Sequence, residues 1–403
     1  MTDLNYTEYL QSVYPGTTWE TTRLTGGVVN STHRATRLSG SAGPASLVLK
    51  HARSYVESVG PGLHFSTQRQ AVEAAILKLW DEDGPLFESR KTVAPWKTPR
   101  LLRHDSGKES VLKLSVSDQE ASILLLSDLG RLVNVVEFIK TAAKDAVATA
   151  DKIAKLGRDT GSIMALVHSP ETVRKIQAEQ PQTYEKLSVS VSKGIVWEFA
   201  VLPIKERIKS YANADKLFTA TAQEYNDPEY DYRPALSIGD FHPGSILLSD
   251  PAVAVDLTPA LVDWEFGRAN GRGVNGDVAQ FLSSMRCEIL DAQDDAALHA
   301  LLVLYVTSFC SAYREAARLR VRRDVRDGNL QLLRSAFSLH GREDVNLAHD
   351  VYHASARRRD MIDVGVWYLE RAGDSAEHFV SDANWEEIKK EDRCLLQSLF
   401  IME

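Results

Sequence analysis

At 403 residues, with 44% hydrophobic and 25% charged residues, the chain has the composition of a globular protein large enough for two or three domains or for one large bilobal enzyme. Its net charge of −8 speaks against a nucleic-acid partner, which asks for a basic face, and three distant cysteines (Cys287, Cys310, Cys394) suit neither a disulfide framework nor a zinc site. No run approaches membrane-span length and the N-terminus is acidic and polar, so a soluble cytoplasmic protein with no membrane partner is expected.

Residues 1–20 predict a short amphipathic helix, apolar at Leu4, Tyr9, Leu10 and Val13 and closed by Pro15-Gly16. Three strands follow: one near Arg23-Leu24, one from Val28 to Thr36, and one from Ser46 to Lys50. Glycine-bearing connections between them predict an antiparallel sheet. Gly26-Gly27-Val28-Val29-Asn30-Ser31 is a candidate phosphate-covering loop, since glycines let backbone N–H groups approach an anion; alone it reads more readily as a Gly-Gly hairpin turn. The stretch Thr67 to Trp80 carries apolar residues at helical spacing (Val72, Ala75, Ile76, Leu79) and leaves Glu73 near the flank, where it can pair with Lys50.

Residues 86–100 read as irregular. Val111 to Val116 and Ser122 to Leu126 read as two more strands, the second running into Ser127-Asp128-Leu129-Gly130. From Val135 the pattern is helical, with one helix from Val136 to Leu156 and another from Gly161 to His168. Further helices reach residue 234, broken at Pro181, Pro203 and Asp227-Pro228. His168 reads as a structural histidine at a helix end. Beyond Asp277, helices are expected from Val278 to Leu290 and from Asp291 to Tyr313. The basic runs 314–326 and 357–359 read as solvated helix faces, and Trp367, Tyr368 and Trp385 as core aromatics.

Residues 236–277 concentrate the chemistry. Gly239-Asp240-Phe241-His242-Pro243-Gly244-Ser245 follows one short apolar run, Asp263-Trp264-Glu265-Phe266 follows another, and both loops are expected to leave one small hairpin layer. Phosphoryl transfer needs a carboxylate that accepts the acceptor's hydroxyl proton and others that hold Mg²⁺ against the phosphates. Asp240 fits the first role and Asp263 the second, with Ser245 and Glu265 as further oxygen donors on the metal side and His242 beside the acceptor. Either aspartate alone reads as a turn residue; the pair with its flanks points to chemistry.

These paired motifs resemble those of the aminoglycoside phosphotransferase and choline kinase superfamily, whose fold is protein-kinase-like. Two positions depart from its usual pattern: Ile238 stands where a His precedes the Gly-Asp, and Ser245 where an Asn follows. Ser245, Glu265 and the stretch LVLKHARSYVESVG with Arg69 and Glu73 beyond it are similar to the methylthioribose kinase branch. The resemblance implies an α+β bilobal fold, with a small antiparallel nucleotide-binding lobe over residues 1–127 and a large, mainly helical catalytic and substrate-binding lobe over residues 128–403. It implies ATP and Mg²⁺ as cofactors, and it implies nucleotide contacts from Gly26, Gly27, Asn30, Lys50, Glu73 and the linker around Leu126 and Leu129. Asp277 would fix the catalytic loop. The implied activity is transfer of the γ-phosphate to a hydroxyl of a sugar, amino alcohol or specialised metabolite. The alternatives are an aminoglycoside-type antibiotic phosphotransferase and, given Ile238 and Ser245, a nucleotide-binding pseudokinase with a regulatory role. Oligomeric state leaves no signature.

Overall fold

Asn5 caps the first helix, α1 (Tyr6–Val13), by accepting hydrogen bonds from the backbone amides of Thr7 and Glu8, and so fixes where the helix starts. The structure, a computed structural model, describes residues 4–25, 27, 29–107, 121–227, 233–249, 257–389 and 395–403. Two units divide the chain: Met1–Gly84 with Thr98–Gly130 and Trp264–Phe266, and Pro85–Lys97 with Arg131–Asp263 and Gly267–Glu403. The first is built on an antiparallel sheet and the second is mainly helical, which meets the expected α+β division.

In the first unit β1 (Thr18–Arg23), β2 (Ser31–Ser39), β3 (Ser46–Arg53), β4 (Leu101–Ser106) and β5 (Ala121–Ser127) form a sheet in the order β1-β2-β3-β5-β4. Trp19, Ala35, Leu47, Leu49, Ile123 and Leu125 pack with Tyr9 and Leu10 of α1 on one face. Because side chains alternate along a strand, Lys50 of β3 falls on the opposite face. There the carbonyl of Lys50 accepts a 2.9 Å hydrogen bond from Gln70 Nε2 of α2 (Gln68–Trp80). The sequence reading left residues 101–106 without a strand. Arg103 and Asp105 interrupt the apolar alternation there, and pairing with β5 supplies what the pattern lacks. The strand expected from Val111 to Val116 lies outside the described residues.

The second unit contains β6 (Leu132–Asn134), α3 (Val135–Ala142) and the 22-residue α4 (Ala146–Val167). The helix runs unbroken through the region where the sequence suggested two helices. Gly157 and Gly161 are the reason: a Cβ on either would lie 2.4 Å from the Tyr305 carbonyl or 2.3 Å from the Phe309 carbonyl, so these glycines let α4 close on its neighbour. That neighbour is α7 (Ala296–Ala317), which corrects a further expectation. It has the length and apolarity of a membrane span. Leu301, Leu302, Tyr305, Val306 and Phe309 are buried, so much of its apolar surface is spent inside the protein.

The strands around the two carboxylate loops do not form one hairpin layer. β7 (Pro234–Ser237) pairs with β10 (Arg268–Arg272), whereas β8 (Ile246–Ser249) lies between β6 and β9 (Ala260–Leu261). The Asp240 loop therefore passes from one small sheet to another, and Asp263 leaves β9. Strands of two to five residues carry too little periodicity to reveal their partners. Asp277, expected at the start of a helix, sits in a π-helical turn, Gly273–Val278, that leads into α6 (Ala279–Asp291). α5 (Ala214–Asn226), α8 (Gly328–Asp350) and α9 (Arg358–Ala372) complete the long helices, and Tyr368 and Trp385 are buried as expected.

Candidate active site

Lys50 and Glu73 meet in the first unit, with Nζ 2.7 Å from Oε2 and both residues buried. Glu73 lies on the inward face of α2 rather than its flank, because the helix presents it to the polar side of β3. Two buried opposite charges can share this place only if paired, so the contact fixes the ammonium where the strand delivers it.

Beside them Glu265 is held by two side chains. Asn30 Nδ2 donates to Glu265 Oε2, and Arg69 Nε lies 3.9 Å from the same oxygen. Arg69 is fully buried and donates to Asn30 Oδ1 at 3.2 Å, to the carbonyls of Phe65 and Ser66 at 3.0 and 2.8 Å, and to the carbonyl of Arg53 at 3.0 Å. Burial pulls its guanidinium below the ordinary arginine value and Glu265 acts in the opposite direction. Asn30, expected at the nucleotide, thus has both ends of its amide engaged by neighbours. Gly27 is described at the turn, while Gly26 and Val28 lie outside the described residues.

In the second unit the Asp240 loop is fixed from several directions. Asp277 accepts hydrogen bonds from the backbone amides of Ile238 and Gly239, at 2.6 and 2.8 Å, and its Oδ2 lies 3.1 Å from His168 Nε2. His168 Nδ1 is in turn 3.1 Å from the Tyr313 hydroxyl, which gives this histidine the structural place expected of it. Gly239 has φ 87°, a conformation that needs glycine and turns the chain sharply before Asp240. Phe241 is buried and stacks on Phe281 with ring centroids 4.8 Å apart.

Ser245 is fully buried and its hydroxyl serves the loop, donating to the Asp240 carbonyl at 3.2 Å and accepting from the His242 amide at 3.3 Å. His242 Nδ1 accepts from the Gly244 amide at 3.0 Å, which leaves the ring proton of the neutral form on Nε2. The Ser245 carbonyl accepts from the Val262 amide at 3.1 Å, tying the loop to the residue before Asp263. Asp263 itself has φ 63°, one of two described non-glycine residues in the left-handed region. Aspartate tolerates that conformation better than most side chains, and such strain concentrates at functional sites.

Sequence reasoning missed Gln280. Its Nε2 donates to Asp240 Oδ1 at 2.5 Å, from the second residue of α6. The one available signal was its place three residues after Asp277, one helical turn further on.

At the end of β5, Leu126 is buried and Leu129 half-buried. Between them Asp128 takes a 2.9 Å ion pair from Arg34 of β2 and a 2.9 Å hydrogen bond from the Gly130 amide. Burial alone would raise its carboxyl; the Gly130 amide, Arg34 and Ser46 together hold it below the ordinary aspartate value. Among the described residues no group of three or more His, Cys, Asp or Glu is gathered as for a metal ion. The basic run 357–359 lies at the start of α9, where Arg359 pairs with Asp363 at the surface, but the run 314–326 is no single helix face: the helix ends at Ala317, and Arg320–Val321 pairs as a strand with Ile401–Met402 and sets Arg320 against Glu403.

No family model matches this chain, and no curated protein does. Among solved structures the chain is similar to a Ralstonia eutropha protein provisionally assigned as an aminoglycoside phosphotransferase, at a TM-score of 0.44 and 12% identity over 93% of this chain and 97% of that one. It is also similar to a choline kinase from Cryptosporidium parvum (TM-score 0.42, 8% identity, 91% and 92% covered). A third similar structure is the ethanolamine kinase of Plasmodium vivax (TM-score 0.40, 12% identity, 90% and 83% covered). Likeness at this level decides neither activity nor substrate.

Proposed function

We propose that this protein is an ATP-dependent kinase of a small molecule bearing a hydroxyl, protein-kinase-like in fold and of the aminoglycoside phosphotransferase and choline kinase kind. One observation carries the reading: the Asp240 carboxylate stands on a loop whose two preceding amides are gripped by Asp277, as a residue that must meet a reacting group requires. Asp240 would orient the acceptor's hydroxyl and take its proton as the phosphoryl group transfers. Lys50, held by Glu73, would neutralise the phosphates. Asp263 and Glu265 would hold Mg²⁺, which offsets charge on the phosphoryl oxygens. Ser245 supports the loop and, through it, Asp240. Sugars, amino alcohols and specialised metabolites are the acceptor classes the motif resemblance favours, with the methylthioribose kinase branch as its narrowest form.

The engagement of Ser245 with its own loop favours a second reading, a nucleotide-binding pseudokinase, because that hydroxyl is then spent on structure. Coupled ADP release from MgATP, measured against a panel of small alcohols, sugars, amino alcohols and aminoglycosides beside Asp240→Ala, separates the two. Turnover on one class that disappears in the variant supports the kinase and names its acceptor. Thermal stabilisation by MgATP without turnover on any compound supports the pseudokinase.

A further inference from the structure

We propose that Gln280 is a positioning residue for Asp240, paired with Asp277 in a clamp that holds three consecutive loop residues from one turn of helix. The proposal rests on the reading of Asp240 as the proton acceptor. Asp277 takes the amides of Ile238 and Gly239, and Gln280, three residues later on the same face, takes the side chain of Asp240. Backbone and carboxylate are thereby fixed from one rigid element.

The π-helical turn sets this alignment. A π turn changes the facing of every residue after it, so Asp277 and Gln280 meet the loop only with Gly273–Val278 wound as it is. Two glycines permit that winding: a Cβ on Gly276 would lie 2.6 Å from the Cβ of Arg272, and one on Gly273 would lie 3.0 Å from His168 Cγ. A buried polar chain braces it from behind. Asn275 donates to Ser335 Oγ at 3.0 Å, Ser335 donates to Glu224 Oε1 at 2.6 Å, and Arg272 donates to the same oxygen at 2.5 Å.

An amide suits the task chemically. It donates to Oδ1 without charge and holds the carboxylate plane, and it neither takes nor gives up a proton at neutral pH. Among the described residues Asp240 Oδ2 accepts no hydrogen bond, and it is the oxygen left for the acceptor's hydroxyl. In the transfer, the acceptor's O–H proton passes to Oδ2 and the acceptor oxygen bonds to the γ-phosphorus. The bond from that phosphorus to the β,γ-bridging oxygen breaks and ADP leaves. Without Gln280 the carboxylate rotates about its last torsion, and the productive geometry is one of several.

Gln280→Ala and Gln280→Met test this, the second keeping the length of the side chain and losing the donor. Turnover is read as ADP release with the most active panel compound, or as MgATP hydrolysis with water as acceptor if no compound reacts. Both variants are expected to lower kcat about tenfold to hundredfold. KM for MgATP, thermal stability and thermal stabilisation by MgATP should stay at wild-type values, which a merely structural role would not leave intact. Wild-type kcat in both variants, beside an inactive Asp240→Ala, overturns the clamp and leaves the kinase reading standing. Unchanged turnover in Asp240→Ala itself overturns both.

Discussion

Lys50 Nζ lies 2.7 Å from Glu73 Oε2, with only 7% and 2% of the two side chains exposed. The strand that delivers the lysine and the helix that delivers the glutamate are therefore bound by a pair of charges that neither can surrender alone.

Removing one member of a buried ion pair costs about 3–5 kcal/mol, while replacing both with apolar groups is often neutral. Glu73→Leu is expected to lose about 3 kcal/mol of unfolding free energy in urea, and Lys50→Met with Glu73→Leu to recover most of it. Thermal stabilisation by MgATP should be absent in both. A double variant that MgATP still stabilises would remove Lys50 from the nucleotide.

A second buried pair behaves differently with pH. His340 and Asp344 are sealed in α8, with His340 Nδ1 3.1 Å from the Ala279 carbonyl and Nε2 3.4 Å from Asp344 Oδ2. Nδ1 must donate to that carbonyl, so Nε2 is bare, and among the described residues neither Nε2 nor Asp344 Oδ2 has a hydrogen-bond partner. Burial pushes Asp344 well above the ordinary aspartate value, against the Ser283 hydrogen bond and Arg286, and lowers His340 to about 3. The raised aspartate gives its full stability below its unfolded value of 3.8 and loses it as pH rises toward the folded one. The lowered histidine gives its full stability above 6.5 and loses it as pH falls toward 3. Asp344→Asn keeps the shape of the side chain and removes the first dependence. Urea titrations from pH 5 to 8 should show the variant gaining on the wild type as pH rises; parallel curves would mean Asp344 is ionised in the fold.

Asp263 separates backbone strain from chemistry. At φ 63° an alanine costs about 1–2 kcal/mol, whereas asparagine adopts the conformation readily. Asp263→Asn is expected to melt near the wild type and Asp263→Ala about 1–2 °C lower, with both losing MgATP turnover. Retained turnover in Asp263→Asn would move the metal role elsewhere.

The sequence by itself determined the α+β division, the helix that carries Glu73 and the loops that carry Asp240 and Asp263. Those features rest on local signals: apolar period, glycine and proline punctuation, and a motif confined to seven residues. Tertiary structure decided what depends on partners distant in the chain. β4 exists because β5 pairs with it, and the unbroken α4 because Gly157 and Gly161 admit the carbonyls of α7. Asn30 and Arg69 converge on Glu265 from 235 and 196 positions away, and a hydrophobic pattern records nothing of such a meeting. Gln280 reaches Asp240 only because a π turn, which no periodicity announces, sets the facing of the helix after it.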